Sequence, residues 1–342
     1  MSHARDTMGR PLRSLRLSVT DRCNLRCTYC MPEEVYAWLP RKDILDYEEI
    51  EALVAALGEH GPLRVRLTGG EPLLRRDLPD LVARLAALEA VEDLSLTTNA
   101  TRLEEAAEPL RAAGLDRITV SLDTLRPDRF LALTRRDDLE RVLVGLDAAA
   151  AAGFTGTKVN AVVQRGVNDD ELGDLLAFAA ERALELRFIE YMDVGGATRW
   201  TNEVVVSARE MLERIEGLGH GPVETLDPVR TAAPADRYRT GDGQTFGIIA
   251  STTQPFCGQC DRARLTADGR FITCLYGRDG HPIAPILRGR GAPAAAAAIA
   301  AVWHVRKDRG AEARLDEQQR GVLLSPKELR DAPHLEMHTR GG

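Results

Sequence analysis

Six cysteines among 342 residues fall into two sets of three, with none left over. Cys23, Cys27 and Cys30 form C-x3-C-x2-C, and Cys257, Cys260 and Cys274 form C-x2-C-x13-C. A lone cysteine usually packs as a small apolar residue. The first set lies beside Asp21, Arg22, Asn24 and Arg26, a stretch too polar for a core. Where thiols stay reduced they serve as metal ligands or catalysts more often than as disulfides. Structural zinc wants four ligands, and the first set has no evident fourth nearby. A [4Fe–4S] cube has four iron corners and takes thiolates. Three thiolates leave one iron open to a substrate or cofactor. The second set is ambiguous on spacing: Cys257-x2-Cys260 suits a zinc knuckle, with His281 available as fourth ligand, as well as it suits a cluster.

Cations supply the second signal. Arg16 and Arg66 alternate with apolar neighbours, and Lys158 begins an apolar run. A buried guanidinium or ammonium needs an anion. Arg262 and Arg264 follow Cys260 on alternate positions, so a strand points both the same way. Two guanidiniums beside a metal site suit a phosphate-bearing ligand. Gly69 and Gly70 let backbone approach a ligand closely, and Glu71 can pair with an ammonium group. Asn99 and Asp123 suit a ribose or base, or equally a strand-end cap.

Strands and helices must position these groups. Six β-branched or apolar runs read as strands: 15–19, 63–67, 94–98, 117–122, 158–163 and 186–190. Helical periodicity fills 50–57, 78–88, 103–112, 139–151 and 172–182, with Asp46 as a helix cap and Gly58, Gly114 and Gly153 as stops. The alternation predicts an α/β fold of parallel strands joined by helices. Polar residues cluster at the strands' C-terminal ends, where such folds place active sites. Six units precede residue 195, too few for a closed eightfold barrel. Residues 202–216 read as one more helix. The turn-rich stretch 217–242 marks a boundary, giving domains 1–235 and 236–342. Beyond it, 246–251 and 264–275 read as strands, the latter with a turn at 267–269, 294–306 as a helix and 331–342 as a tail.

Composition excludes several classes. Hydrophobic residues make up 44% and charged residues 28%, a globular mix. The net charge of −7 argues against a general nucleic-acid binder and a polybasic membrane anchor. The polar start, 1–16, carries no secretory signal, and no run spans a bilayer, which leads us to expect a cytoplasmic protein.

The C-x3-C-x2-C motif, with Tyr29 before its last cysteine and Thr68-Gly-Gly-Glu-Pro72 after the second strand, resembles the radical S-adenosylmethionine superfamily. Further segments bring the chain close to the GTP 3′,8-cyclases of molybdenum cofactor biosynthesis. They are 15–24, 30–32, 66–72, 97–99, 121–123, 256–269, Cys274-Leu275 and the terminal Gly341–Gly342. The resemblance covers nearly the whole chain, with Asp261, Ala263 and Arg340 standing where Asn, Leu and an apolar residue are common. It implies an incomplete (βα)6 TIM-type barrel closed by a C-terminal domain that carries a second iron–sulfur cluster. It implies that Cys23, Cys27 and Cys30 ligate the cluster that binds S-adenosylmethionine, with Tyr29, Gly70, Ser121 and Met192 holding that cofactor. Cys257, Cys260 and Cys274 would ligate the second [4Fe–4S] cluster, its open iron facing the guanine. Arg16, Arg66, Thr97, Lys158, Arg262, Ala263 and Arg264 would contact GTP, and the glycine tail would reach into the site. The implied reaction forms a bond between C3′ and C8 of GTP, giving 3′,8-cyclo-7,8-dihydro-GTP. It needs an external one-electron donor and hands its product to the cyclic pyranopterin monophosphate synthase. Oligomeric state, a homodimer included, stays open.

Overall fold

The computed structural model describes residues 3–317 and 320–341. Strands β1 (Ser14–Ser18), β2 (Leu63–Thr68), β3 (Val91–Thr98), β4 (Arg117–Ser121), β5 (Lys158–Val163) and β6 (Glu185–Glu190) lie side by side in sequence order, all parallel. The helices between them are α1 (Tyr47–Gly58), α2 (Leu78–Ala86), α3 (Leu103–Ala112), α4 (Pro127–Thr134), α5 (Leu139–Ala151) and α6 (Leu172–Glu181). Asp46 caps α1 as expected: its carboxylate accepts from the Glu49 amide while Glu49 reaches back to the Asp46 amide. Helix α4 was not foreseen, although Pro127 at its first turn is a start signal.

After α7 (Ala208–Glu216), the segment that reads as turn-rich holds two short strands, β7 (Glu224–Leu226) and β8 (Asp236–Arg239), leading into β9 (Thr245–Ile249). The turn expected at 267–269 makes the 264–275 run a hairpin of β10 (Arg262–Leu265) and β11 (Arg270–Ile272), with Gly269 (φ +73°) turning the chain. Strand β12 (His281–Pro282) and helices α8 (Ala284–Arg290) and α9 (Ala292–His304) follow. Strand β9 pairs with β6 and β10 with β1, both parallel, so the later strands flank the first six in one twelve-stranded sheet.

The alternation along each strand decides what faces what. One face carries Leu15, Leu17, Val65, Leu67, Leu96, Val120, Val159 and Phe188, all buried against the helices. Burying such a side chain contributes about 1.5–3 kcal/mol. The opposite face carries Arg16, Arg66, Thr97, Thr119, Lys158 and Arg187, which an apolar core would not tolerate unpaired. This face lines a cavity. Among the described residues, no helix is long and apolar enough to cross a membrane.

Candidate active site

The cavity holds about 500 Å³ and is lined by strands β1 to β6, β9 and β10 and by all six cysteines. Cys23, Cys27 and Cys30 sit in the loop after β1. Backbone bonds fix that loop: the amides of Arg26 and Thr28 donate to the carbonyls of Thr134 and Leu133, and the Cys30 amide donates to Cys27. Arg26 donates to the Cys23 carbonyl at 2.7 Å. Asn99 donates to Asn24 at 3.0 Å and stands 4.0 Å from the Cys23 sulfur.

Gly69 and Gly70 serve this loop. A Cβ on Gly69 would stand 2.4 Å from the Thr20 carbonyl, and one on Gly70 2.3 Å from that of Arg22. The close approach expected toward a ligand is therefore made first toward the cysteine loop, although Gly70 also lines the cavity. Glu71 is likewise engaged within the fold. It is buried and accepts from Thr98, Asn99 and Leu73 at 2.7, 2.7 and 3.0 Å, and burial pushes its carboxyl up to about 7.

Tyr29 donates to Asp123 at 2.7 Å and packs edge-on against Tyr191. Burial pushes Asp123 up to about 6, opposed by its bonds from Tyr29 and the Val162 amide. Ser121 ends β4, Met192 follows β6, and both line the cavity.

The second set is built differently. Cys257 opens a short 3₁₀ turn (Cys257–Gln259), Cys260 ends it, and Cys274 follows β11. Buried Arg10 and Arg306 donate to the carbonyls of Cys257 and Cys260 at 2.8 and 2.9 Å, and Asp6 pairs with both arginines. A Cβ on Gly310 would stand 2.4 Å from the Tyr276 Cβ and 3.1 Å from the Cys274 sulfur, so glycine suits the close approach of that segment to the thiol. Burial works to raise the Cys260 thiol, but Arg262 and Arg306 outweigh it and hold it down at about 7. Among the described residues, no group of three His, Cys, Asp or Glu is arranged around a single metal ion. His281 lies on β12 and does not line the cavity. All six thiols line the cavity, and thiolates are the usual ligands of a [4Fe–4S] cube. Both trios thus have the donor chemistry and access that a cluster with an open iron needs.

Sheet register assembles the cations. Arg16 lies opposite Arg264 on one side and Arg66 on the other, and Lys158 lies between Thr119 and Glu185. Several cations are already paired: Lys158 and Arg187 with Glu185 (2.8 and 2.5 Å), Arg117 with Asp93, and Arg64 with Asp261 at 2.6 Å. Arg16, Arg66, Arg262 and Arg264 are different. Among the described residues, no carboxylate pairs with them. Arg66 donates to Thr97 and Thr119, and Arg262 lies over the Phe256 ring. Burial, then mutual repulsion, pushes Arg16 well down and Arg264 to about 9, and burial with Arg117 and Arg187 nearby lowers Arg66 to about 10. The arrangement calls for a polyanion.

One expected contact is not offered by a side chain. Ala263 alternates with Arg262 and Arg264, so its side chain faces the apolar side and is fully buried in the core. It does not line the cavity. Sequence reasoning also passed over Arg64, Asp93, Arg117, Glu185, Arg187 and Arg230, which do line it. For the strand residues the signal was available: they occupy the same alternate positions as Arg16, Arg66 and Lys158.

The C-terminal segment, read as a tail, is folded. Short helical turns at Pro326–Asp331, Pro333–Leu335 and Met337–Arg340 lead it to the cavity. Arg264 donates to the Gly341 carbonyl at 2.5 Å, and Ser18 donates to that of Thr339 at 3.0 Å. Gly341 has φ +69°, and a Cβ there would stand 2.0 Å from the Thr68 hydroxyl. Arg340 is buried and donates to the carbonyls of His334 and Leu275. Gly342 lies outside the described residues.

Comparison with known proteins agrees with this geometry. Residues 17–179 match the Radical SAM superfamily, and residues 184–312 match the family described as Molybdenum Cofactor Synthesis C. The chain is 51% identical to GTP 3′,8-cyclase 1 of Mycobacterium tuberculosis, over 99% of this chain and 95% of that one. It is 50% identical to the GTP 3′,8-cyclase of Acidothermus cellulolyticus, over 91% and 88%. Streptococcus suis SuiB bound to S-adenosylmethionine shares the fold alone, with a TM-score of 0.60 at 15% identity, over 92% of this chain and 71% of that one. A trio of thiols on a loop after the first strand, facing a cation-lined cavity, is therefore the site of a chain that belongs to the GTP 3′,8-cyclase family of the radical S-adenosylmethionine superfamily.

Proposed function

We propose that the protein converts GTP to (8S)-3′,8-cyclo-7,8-dihydroguanosine 5′-triphosphate, the first step of molybdenum cofactor biosynthesis. One observation carries this reading: both cysteine trios and the four uncompensated arginines line a single cavity. Cys23, Cys27 and Cys30 would hold a [4Fe–4S] cluster, with Tyr29, Gly70, Ser121 and Met192 around S-adenosylmethionine. Together, when bound, these groups supply one-electron reduction and radical initiation. Cys257, Cys260 and Cys274 would hold a second cluster beside the guanine. In this reading the first six strands form an incomplete barrel, residues 1–235, which residues 236–342 close.

The chain's own residues bind and orient the nucleotide. Buried guanidiniums cost several kcal/mol each when unpaired. A triphosphate of charge about −4 offsets that cost through charge-assisted bonds of about 1.5–3 kcal/mol each. Arg16, Arg66, Arg262 and Arg264 meet the phosphates, Thr97 joins them through its hydroxyl, and Lys158 turns from Glu185 to the ligand. With the phosphates fixed there, the ribose and base lie toward the two trios, so that C3′ and C8 are held for bond formation. Met337 and His338 line the cavity from the tail side and restrict water. An external donor supplies electrons, and the cyclic pyranopterin monophosphate synthase consumes the product. The setting is the cytoplasm.

Anaerobically reconstituted protein given GTP, S-adenosylmethionine and dithionite tests this. Mass spectrometry should find 5′-deoxyadenosine and a cyclised nucleotide in equal amounts. Cleavage of S-adenosylmethionine with GTP left intact would overturn the substrate assignment.

A further inference from the structure

The reaction proposed above needs electrons from outside, yet its thiols face an interior cavity. Cys23 is the exception. Besides the inner cavity, it lines a second, outward-opening groove together with Asn24, Arg26, Leu74, Arg102, Arg136, Asp138 and Arg141. Neither Cys27 nor Cys30 lines that groove.

The groove's charge is opposite to that of the chain. The protein carries a net charge of −7, but four arginines surround the outer side of Cys23 against one carboxylate, Asp138. Asp138 pairs with Arg141 at 3.3 Å, leaving a clear positive excess. Arg102, Arg136 and Arg141 are exposed. Two arginines are tied to the cysteine loop itself. Arg26 donates to the carbonyls of Cys23 and Leu25 and lies over the Trp38 ring at 5.4 Å, and Arg136 donates to the Asn24 carbonyl at 3.3 Å. Loop bonding explains part of what these two do. It leaves Arg102 and Arg141, which come from the start of α3 and from α5, without a part in holding the loop.

We propose that this groove is the docking site for an acidic one-electron carrier protein, which delivers its electron through the outer side of Cys23. The inference rests on the radical reading of the first trio. The step transfers one electron: the reduced carrier is oxidised by one electron, the centre at Cys23 gains it, and no atom moves. Opposite charge speeds encounter and sets orientation, which suits a partner that must leave after each delivery. Carrier interfaces are small, so a groove this size with a few surrounding charges suffices. A nucleic acid is disfavoured by the overall negative charge, which repels a long polyanion beyond the groove.

The test uses the iron-loaded enzyme and a flavodoxin as the acidic carrier. Affinity is measured by calorimetry at low and raised sodium chloride, for wild type, the triple variant Arg102→Glu/Arg136→Glu/Arg141→Glu, and the control Arg209→Glu on α7. The triple variant should bind at least about tenfold more weakly and lose most of the salt dependence. The control should bind as wild type does. In the double variant Arg102→Glu/Arg141→Glu, which leaves the loop's own bonds in place, turnover driven by dithionite should stay within about twofold, while the rate of centre reduction by the photoreduced carrier falls about tenfold. The milder single variants Arg102→Ala and Arg141→Ala should each show part of the loss, guarding against misfolding of the triple variant. Unchanged carrier affinity in the triple variant would overturn the proposal. So would displacement of the carrier by inorganic phosphate far beyond chloride of equal ionic strength, which would mark a small-anion site. Because binding is read without GTP, failure of the substrate assignment leaves this test intact.

Discussion

The first cysteine trio and Cys260 of the second use the same side chain in opposite electrostatic settings, while burial raises Cys257 much as it raises the first trio. Cys23, Cys27 and Cys30 lie near carboxylates: Glu71, Asp123 and Glu336 all act to raise their thiols, beyond what burial does. Burial is the largest cause at all three, and Cys23 rises to about 11. Cys260 lies among guanidiniums and is held at about 7 despite burial. The difference teaches what each trio expects beside it. A carboxylate-rich surround suits a ligand bearing an ammonium and a sulfonium, and an arginine-rich surround suits a nucleotide.

The largest expected effect breaks the pair apart. Replacing Cys23, Cys27 and Cys30 by Ala should abolish 5′-deoxyadenosine release and remove about half of the iron. Replacing Cys257, Cys260 and Cys274 should remove a similar share yet leave cleavage of S-adenosylmethionine detectable while cyclisation of GTP stops. Should the second variant lose cleavage as completely as the first, the division of labour is wrong.

Single arginines come next. Arg66→Ala and Arg264→Ala should each raise KM for GTP by about 10- to 100-fold, the worth of a charge-assisted bond. Affinity for S-adenosylmethionine, read by equilibrium dialysis, should not move. Ala263→Val sharpens the comparison from the opposite face of β10. It should cost about 1–3 kcal/mol in urea unfolding through overpacking, with KM for GTP unchanged. A raised KM there would mean that β10 does not alternate as described.

The smallest effect concerns the tail that joins the two halves. His338 is buried against Tyr36 and Trp38, and burial, aided by Arg26, lowers it from 6.5 to about 4. The undocked imidazole takes up a proton below about pH 6.5, but the docked one does so only near 4. Docking is thus fully favoured above pH 6.5 and weakens by about 1.4 kcal/mol per unit as pH falls toward 4. Hydrogen exchange across 332–341 should rise in that window, and His338→Phe should flatten the rise.

Period and punctuation made the parallel core legible. The run 158–163 matches β5 residue for residue, and Asp46 announced the cap of α1. The trios were legible because three thiols in so few residues have few other uses. Less visible were features set by distant partners. Strands β7 and β8 are short, turn-rich pieces stabilised by pairing with β9. Ala263 was placed with its arginine neighbours by position along the chain, whereas alternation separates them. Glu71 was read as facing a ligand, and nothing local to it indicates that Thr98 and Asn99 occupy its oxygens. The folded tail depends on Arg264, Ser18 and Leu275, all far away in sequence.

The sheet's strand order also bears on how the chain is made. Strand β1 gains its second neighbour only when β10 is present, because Arg16 pairs in register with Arg264. Contacts this remote in sequence are slow to form, since a long loop must close before they stabilise anything. During synthesis the first six strands emerge well before their flanking partner, and the growing chain passes through a stage with that edge unprotected. A chaperone or a metal-delivery protein would meet the cysteine loop most easily at that stage, before the final segment covers it.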